Sequence, residues 1–299
     1  MVKNIYSKYK FFVVKVTLSA FLALFLIECS AAQKVCLTSV IEKSDTYRYL
    51  FYKPVEYNEN SDKKWPLIIY LHGKSACGDN LDKVRRYGLP FFLDKGMVVE
   101  ALVAAPQCPE GKNWIADDWF LPFLRDIKEK YHVDDNHIYL TGMSLGGFGT
   151  FSLAIKYPYI FAAVAPLCGG GQPSTVCPMK DIPTWVFHGD QDEQVPLKRS
   201  EEMVDALKKC GGNPKFTILK GQPHDIHKTY NNPELYKWML KQKRNGNVND
   251  KQEVVQNMTH ENKISPKEEK VIGQKKDKKS KKKKNANVEE SEKIKVEFN

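Results

Sequence analysis

The sequence predicts an α/β architecture: a mostly parallel central sheet with helices on both faces. Through the middle of the chain, apolar runs of strand length alternate with stretches of helix length. Several of these runs are continuously apolar, as parallel strands covered on both sides should be. The repeated strand-then-helix order implies right-handed crossovers between parallel neighbours.

The expected strands are Tyr47–Tyr52, Pro66–Leu71, Val98–Ala105, His137–Thr141, Phe161–Pro166, Pro183–Phe187 and Phe216–Leu219. Between and after them come helical stretches at Leu81–Tyr87, Leu89–Lys95, Trp119–Tyr131, Leu145–Tyr157, Lys198–Lys209 and Pro233–Lys243. No internal repeat interrupts the series, so one α/β domain over residues 33–243 is the economical reading.

The ends of the chain differ from this body. Lys3, Lys8, Lys10 and Lys15 precede an uncharged, mostly apolar run from Val16 to Ile27, followed by the small residues Ser30-Ala31-Ala32. A basic start, a short apolar centre and a small-residue end describe a secretory signal over 1–32, which places the protein outside the cytoplasm. Cys29 sits where a lipoprotein would be acylated, although the acidic Glu28 stands where such signals carry a small residue. Residues 244–299 have few large apolar side chains and a lysine run from Lys275 to Lys284 broken only by Asp277 and Ser280. Such a segment buries too little to offset its ordering entropy and reads as a disordered tail. Its charge suits contact with an acidic polymer or membrane surface, or simple solvation.

The net charge of +10 follows the same division. Residues 1–34 carry +4 and residues 241–299 carry +7, leaving residues 35–240 at −1. A near-neutral body argues against a nucleic-acid partner. Of the seven cysteines, six follow Ala32, an even number that permits disulfides in an exported chain. Cys168 and Cys177 flank a Gly-rich loop and are the first pair to expect. No Cys-x-x-Cys or His-rich spacing marks a metal site, and no cofactor is called for.

The decisive stretch is Gly142-Met143-Ser144-Leu145-Gly146, directly after an expected strand and directly before an expected helix. A sharp strand-to-helix turn lifts the serine oxygen clear of the sheet, and glycines two residues to either side remove Cβ clashes. The helix that follows points its N-terminus at developing negative charge. A serine hydroxyl needs a base, and the base an orienting acid. Two later strand ends supply both types: His188-Gly189-Asp190-Gln191-Asp192-Glu193, and Pro223-His224-Asp225-Ile226-His227. Residue type and order leave Asp190, Asp192 and Glu193 open as acids and His224 and His227 as bases. His132, His137, His188 and His260 have no such positional argument. An oxyanion hole needs two backbone N–H groups. The residue after the serine, Leu145, offers one, and Lys74 offers another, after the turn at His72-Gly73. Trp114 and Trp119 follow a strand near the same edge of the sheet and could line a substrate site or simply pack.

Together, His72-Gly73, the Gly142–Gly147 turn, His188-Gly-Asp-Gln-Asp192 with Val195-Pro196, Phe161-Ala-Ala with Pro166-Leu-Cys-Gly-Gly-Gly171, and Gly221 with His224-Asp225 resemble the α/β-hydrolase superfamily. The likeness, over about Pro66 to Leu240, is to its esterases and predicted peptidases related to the prolyl oligopeptidase catalytic domain, dienelactone hydrolase and polyhydroxybutyrate depolymerase. It implies an α/β-hydrolase fold with no large lid and a triad of Ser144, Asp192 and His224. Ester cleavage through an acyl-enzyme is the expected activity, with acetyl or feruloyl esters on polysaccharide as candidate substrates. A serine peptidase and a noncatalytic hydrolase-like binding protein are the alternatives.

Overall fold

Strand β3, Trp65–Leu71, shows how the core is divided. Leu67, Ile69 and Leu71 join one apolar layer, Ile68 and Tyr70 the other, and all five are buried. The period of two thus feeds both faces of the sheet, which is why the run carries no polar residue.

The computed structural model describes residues 38–43, by backbone alone, and 47–244. All of them fall in one compact unit of the chain. Eight strands are ordered β1-β2-β4-β3-β5-β6-β7-β8. The others are β1 Thr38–Lys43, β2 Arg48–Lys53, β4 Leu102–Pro106, β5 Val133–Met143, β6 Ala163–Leu167, β7 Trp185–Gly189 and β8 Lys215–Leu219. Only β1–β2 and β2–β4 pair antiparallel; every other pairing is parallel. The helices are α1 Gly88–Asp94, α2 Phe120–Lys130, α3 Leu145–Lys156, α4 Lys198–Lys209 and α5 Pro233–Met239. Buried residues of α2, α3 and α4 join one apolar layer, and those of α1 and α5 join the other.

Several expected elements shift. β1 is an additional edge strand whose pairing with β2 supplies the order that its short sequence did not advertise. The stretch from Leu81 forms a 3-10 helix, Leu81–Arg86, rather than an α-helix. β4 starts four residues later than expected, at Leu102, and β5 starts four earlier and ends two later. The export segment with Cys29, the residues around Cys36 and the Lys-rich tail lie outside the described residues.

The disulfide differs from expectation as well. Cys177 pairs with Cys210, joining a 3-10 turn to the C-cap of α4, while Cys168 is a buried free thiol. Cys168 directly follows β6 at φ 46°, and its Sγ faces the carbonyl of His224. Closing a loop of 33 residues' separation contributes about 3–4 kcal/mol by chain entropy.

Strand order also positions the site. From β3 the chain steps to β4 on one side, then returns to β5 on the other. The loops after β3 and β5 therefore leave the sheet in opposite directions, and a crevice opens between them at the C-terminal edge.

Candidate active site

The turn after β5 is held by backbone contacts that leave no room for side chains. A Cβ on Gly146 would lie 1.9 Å from the Leu71 carbonyl oxygen, and one on Gly142 would lie 2.5 Å from that of Gly146. Ser144 between them takes φ 59° and ψ −120°, strained for a residue with a Cβ. Its N–H donates to the Leu167 carbonyl on β6, and its own carbonyl accepts from Phe148 in the first turn of α3. Both bonds hold that backbone conformation.

Ser144 Oγ lies 2.8 Å from His224 Nε2, and His224 Nδ1 lies 2.7 Å from Asp192 Oδ2. Because Nδ1 faces a carboxylate, it carries the ring proton and donates, which leaves Nε2 to accept from the serine hydroxyl. The other oxygen of Asp192, Oδ1, accepts from the amides of Gln194 at 3.0 Å and Val195 at 2.8 Å. Burial opposes ionisation of Asp192, yet the hydrogen bonds from His224 and these amides outweigh it and hold its pKa below the ordinary carboxyl value. Asp190 instead accepts from the Gly221 amide, and Glu193 is exposed. His227 pairs with Asp225 and stacks on Phe92. The structure thus joins Ser144, His224 and Asp192 into one chain and leaves the competing acids and the competing histidine outside it.

The Leu145 and Lys74 amides start α3 and the 3-10 turn Lys74–Ala76, positions where an N–H has no acceptor within its own helix. Gly73 lies against Ser144: a Cβ there would be 3.5 Å from the serine Cβ. The Gly73 carbonyl is gripped twice, by the Ala76 amide and by His72 Nδ1 at 2.7 Å. The Cys108 amide donates to His72 Nε2, so Nδ1 must hold the proton, and His72 is a neutral donor. Fixing that carbonyl fixes the plane of the Gly73–Lys74 peptide and thereby the aim of the Lys74 N–H.

A scan of family models matches residues 123–231 to the Phospholipase/Carboxylesterase family of α/β-hydrolases. "Putative esterase NocK" of Nocardia uniformis subsp. tsuyamanensis is 30% identical over 144 residues, 44% of this chain and 41% of that protein. Poly(3-hydroxyalkanoate) depolymerase C of Paucimonas lemoignei is 27% identical over 121 residues, 35% of this chain and 28% of that one. The chain therefore spans less than half the length of either curated relative. Among solved structures, a thermostable esterase superposes with a TM-score of 0.58 at 29% identity, covering 71% of this chain and 64% of that one. The fold is that of the α/β-hydrolases.

Within this α/β-hydrolase fold, a cleft of about 230 Å³ opens over Ser144, walled by Tyr70, Gly73, Lys74, Tyr87 and His224. A second, apolar hollow of about 220 Å³ is bounded by Trp114, Ile115, Leu145 and Phe148. Trp114 is buried, and its Nε1 donates to the His72 carbonyl, so it braces the β3 loop while its ring forms part of that hollow. Trp119 lines neither space. It is buried, stacked on Tyr47 with ring centres 4.9 Å apart, and its Nε1 donates to the Trp114 carbonyl. The expectation that Trp119 lines a substrate site is corrected: an aromatic that heads α2 on the apolar face packs inward.

Sequence reasoning missed His72 as a backbone anchor, and also His188 and Cys168. His188 is the penultimate residue of β7, wholly buried, four residues before Asp192. Cys168, His188 and Asp192 are the one group among the described residues compact enough to suggest a metal. Both ring nitrogens of His188 are already hydrogen-bonded within the protein, so the cluster reads as a hydrogen-bond network. The adjacency of His188 and Asp192 in one motif was the available signal; the ring's orientation was not.

Burial drives the His72 pKa down from 6.5 to about 4, against the partial rescue of its bond to Gly73. The unfolded chain therefore takes up a proton at this residue at a higher pH than the folded one does. The stability it contributes is complete above pH 6.5 and is lost as pH falls towards 4, about 3 kcal/mol in all. Urea unfolding followed between pH 7 and 4 should show that loss in the wild type and a markedly smaller one in His72→Gln.

Proposed function

We propose that the protein is a serine hydrolase that cleaves carboxylic esters through an acyl-enzyme on Ser144. The observation that carries this reading is the continuous hydrogen-bond chain from Ser144 Oγ through His224 to Asp192. As Oγ attacks the ester carbon, His224 Nε2 takes the hydroxyl proton, and Asp192 stabilises the imidazolium that results. The carbonyl oxygen becomes an oxyanion facing the Leu145 and Lys74 amides. Collapse expels the alcohol, which leaves with the proton held on Nε2. Water then enters, gives a proton to His224 and releases the acid, restoring the serine.

The cleft over Ser144 is open, and the connections between the core strands hold no separate lid domain among the described residues. That openness suits an ester carried on a bulky or polymeric partner, such as acetyl or feruloyl groups on polysaccharide, and one relative is named as a depolymerase of a polyester. The expected export over 1–32 belongs to the same reading, and the Cys177–Cys210 disulfide suits an oxidising compartment.

A fluorophosphonate probe should label the wild type at Ser144 and fail to label Ser144→Ala. A panel of acetyl, butyryl, octanoyl and feruloyl esters, run beside peptide substrates, should show turnover of esters and none of peptides. Absence of labelling in the wild type would overturn the enzyme reading. Peptide turnover matching that of the esters would make the protein a peptidase.

A further inference from the structure

His188 takes no part in the proton transfers above, yet it is wholly buried against the triad acid. Its Nε2 lies 2.8 Å from the Val195 carbonyl oxygen and 3.1 Å from Asp192 Oδ2, the same oxygen that accepts from His224. Both neighbours can only accept from it, so Nε2 carries a proton and is shared between them. On the far side of the ring, the unprotonated Nδ1 lies 2.7 Å from Ser200 Oγ on α4, whose single hydroxyl proton is shared between Nδ1 and the Gly169 carbonyl at 2.9 Å. The ring is therefore fastened at both edges, between α4 and the loop that carries Asp192.

We propose that His188 is a positioning residue: its Nε2–H holds Asp192 Oδ2 and the Val195 carbonyl in register, so that the carboxylate meets His224 Nδ1 in line. This rests on the triad reading. Its physical basis is the placement of the acid on a loop instead of a strand. The Gln194 and Val195 amides fix Oδ1, but two bonds to one oxygen leave the carboxylate free to swing about that end. His188 supplies the second fixed point, from the penultimate position of β7, and the Val195 contact ties the residue whose amide binds Oδ1 to the ring that binds Oδ2. The thiol of Cys168, directly after β6, closes the remaining side: burial and the neighbouring Asp192 charge push its pKa up, so it adds no second negative charge there.

The test compares His188→Gln with His188→Asn in the full chain. Glutamine can place an N–H near the position of Nε2, whereas asparagine reaches only that of Nδ1. Hydrolysis of p-nitrophenyl acetate should lose about tenfold or more in kcat in His188→Asn with KM within twofold, and His188→Gln should recover most of that loss. Equal rates in the wild type and His188→Asn would overturn the proposal, as would equal losses in the two variants, which would mark a packing role. Should His188→Asn fail to fold, the wild-type Nε2-bound proton seen by nitrogen-15 NMR decides the matter. A resonance that moves in Asp192→Asn supports the contact, and one that does not move overturns it. Fluorophosphonate labelling of Ser144 separates the two readings. Without it the triad assignment itself fails; with labelling intact and His188→Asn unimpaired, only the role of His188 fails.

Discussion

Ser144→Ala, His224→Ala and Asp192→Asn should each fold and each lose about 10⁴-fold or more in kcat on an activated ester. The reason is cooperative. Ser144 Oγ, the His224 ring and the Asp192 carboxylate form a single chain of hydrogen bonds at 2.8 and 2.7 Å, and removing any link leaves the others without a proton path. Asp192→Asn is the most informative of the three, because the amide keeps the shape of the carboxylate while offering an N–H where His224 also presents one. The ring must then turn or change tautomer, and its lone pair no longer faces the serine. Asp190→Asn and His227→Ala stand outside the chain and should stay within a few-fold of wild type. Steady-state kinetics beside circular dichroism spectra of all five variants checks this. A His227→Ala enzyme as impaired as His224→Ala would refute the assignment.

Gly146→Ala should be among the most damaging small substitutions of the described residues. The added methyl would lie 1.9 Å from the Leu71 carbonyl oxygen and 2.6 Å from its carbon. These are backbone atoms of β3, the strand that pairs with β5 over most of its length, so neither side can yield without parting two core strands. The cost should exceed about 3 kcal/mol, at the upper end of what overpacking produces. For a body of this size that corresponds to a fall of about 10 °C in Tm. Gly111→Ala is the control: its Cβ meets nothing within 4 Å, and only its positive φ of 73° opposes the change, at about 1–2 kcal/mol. Thermal melts that show equal losses in the two variants would refute the close-contact account.

Legibility followed the range of the interactions involved. The α/β alternation could be read because each strand's apolar run and each helix's spacing is a property of a few adjacent residues. β1 could not, since Thr38–Lys43 becomes a strand through pairing with β2 and not through its own pattern. The serine turn announced itself through glycines that local sterics demand. Residue type and order narrowed the acid and the base only to strand ends, and it took the resemblance to known hydrolases to point to Asp192 and His224: Asp190 and Asp192 stand two residues apart, and only Asp192 reaches His224. The disulfide was misread for the same reason, because Cys168 and Cys177 are close in sequence while Cys177 and Cys210 meet through the packing of α4.

The sequence by itself therefore determined the layered α/β class and the serine turn, both of which rest on periodicity and on backbone sterics within a few residues. Motif likeness pointed to Asp192 and His224, which residue type and order left open; tertiary structure joined them to Ser144, and it alone brought His72 and His188 to their backbone and carboxylate partners. Hydrogen bonds act over about 3 Å and depend on direction. Residues from β3, β5, β7 and the loop after β8 come within that distance only once the strand order has been set, and no local pattern records it.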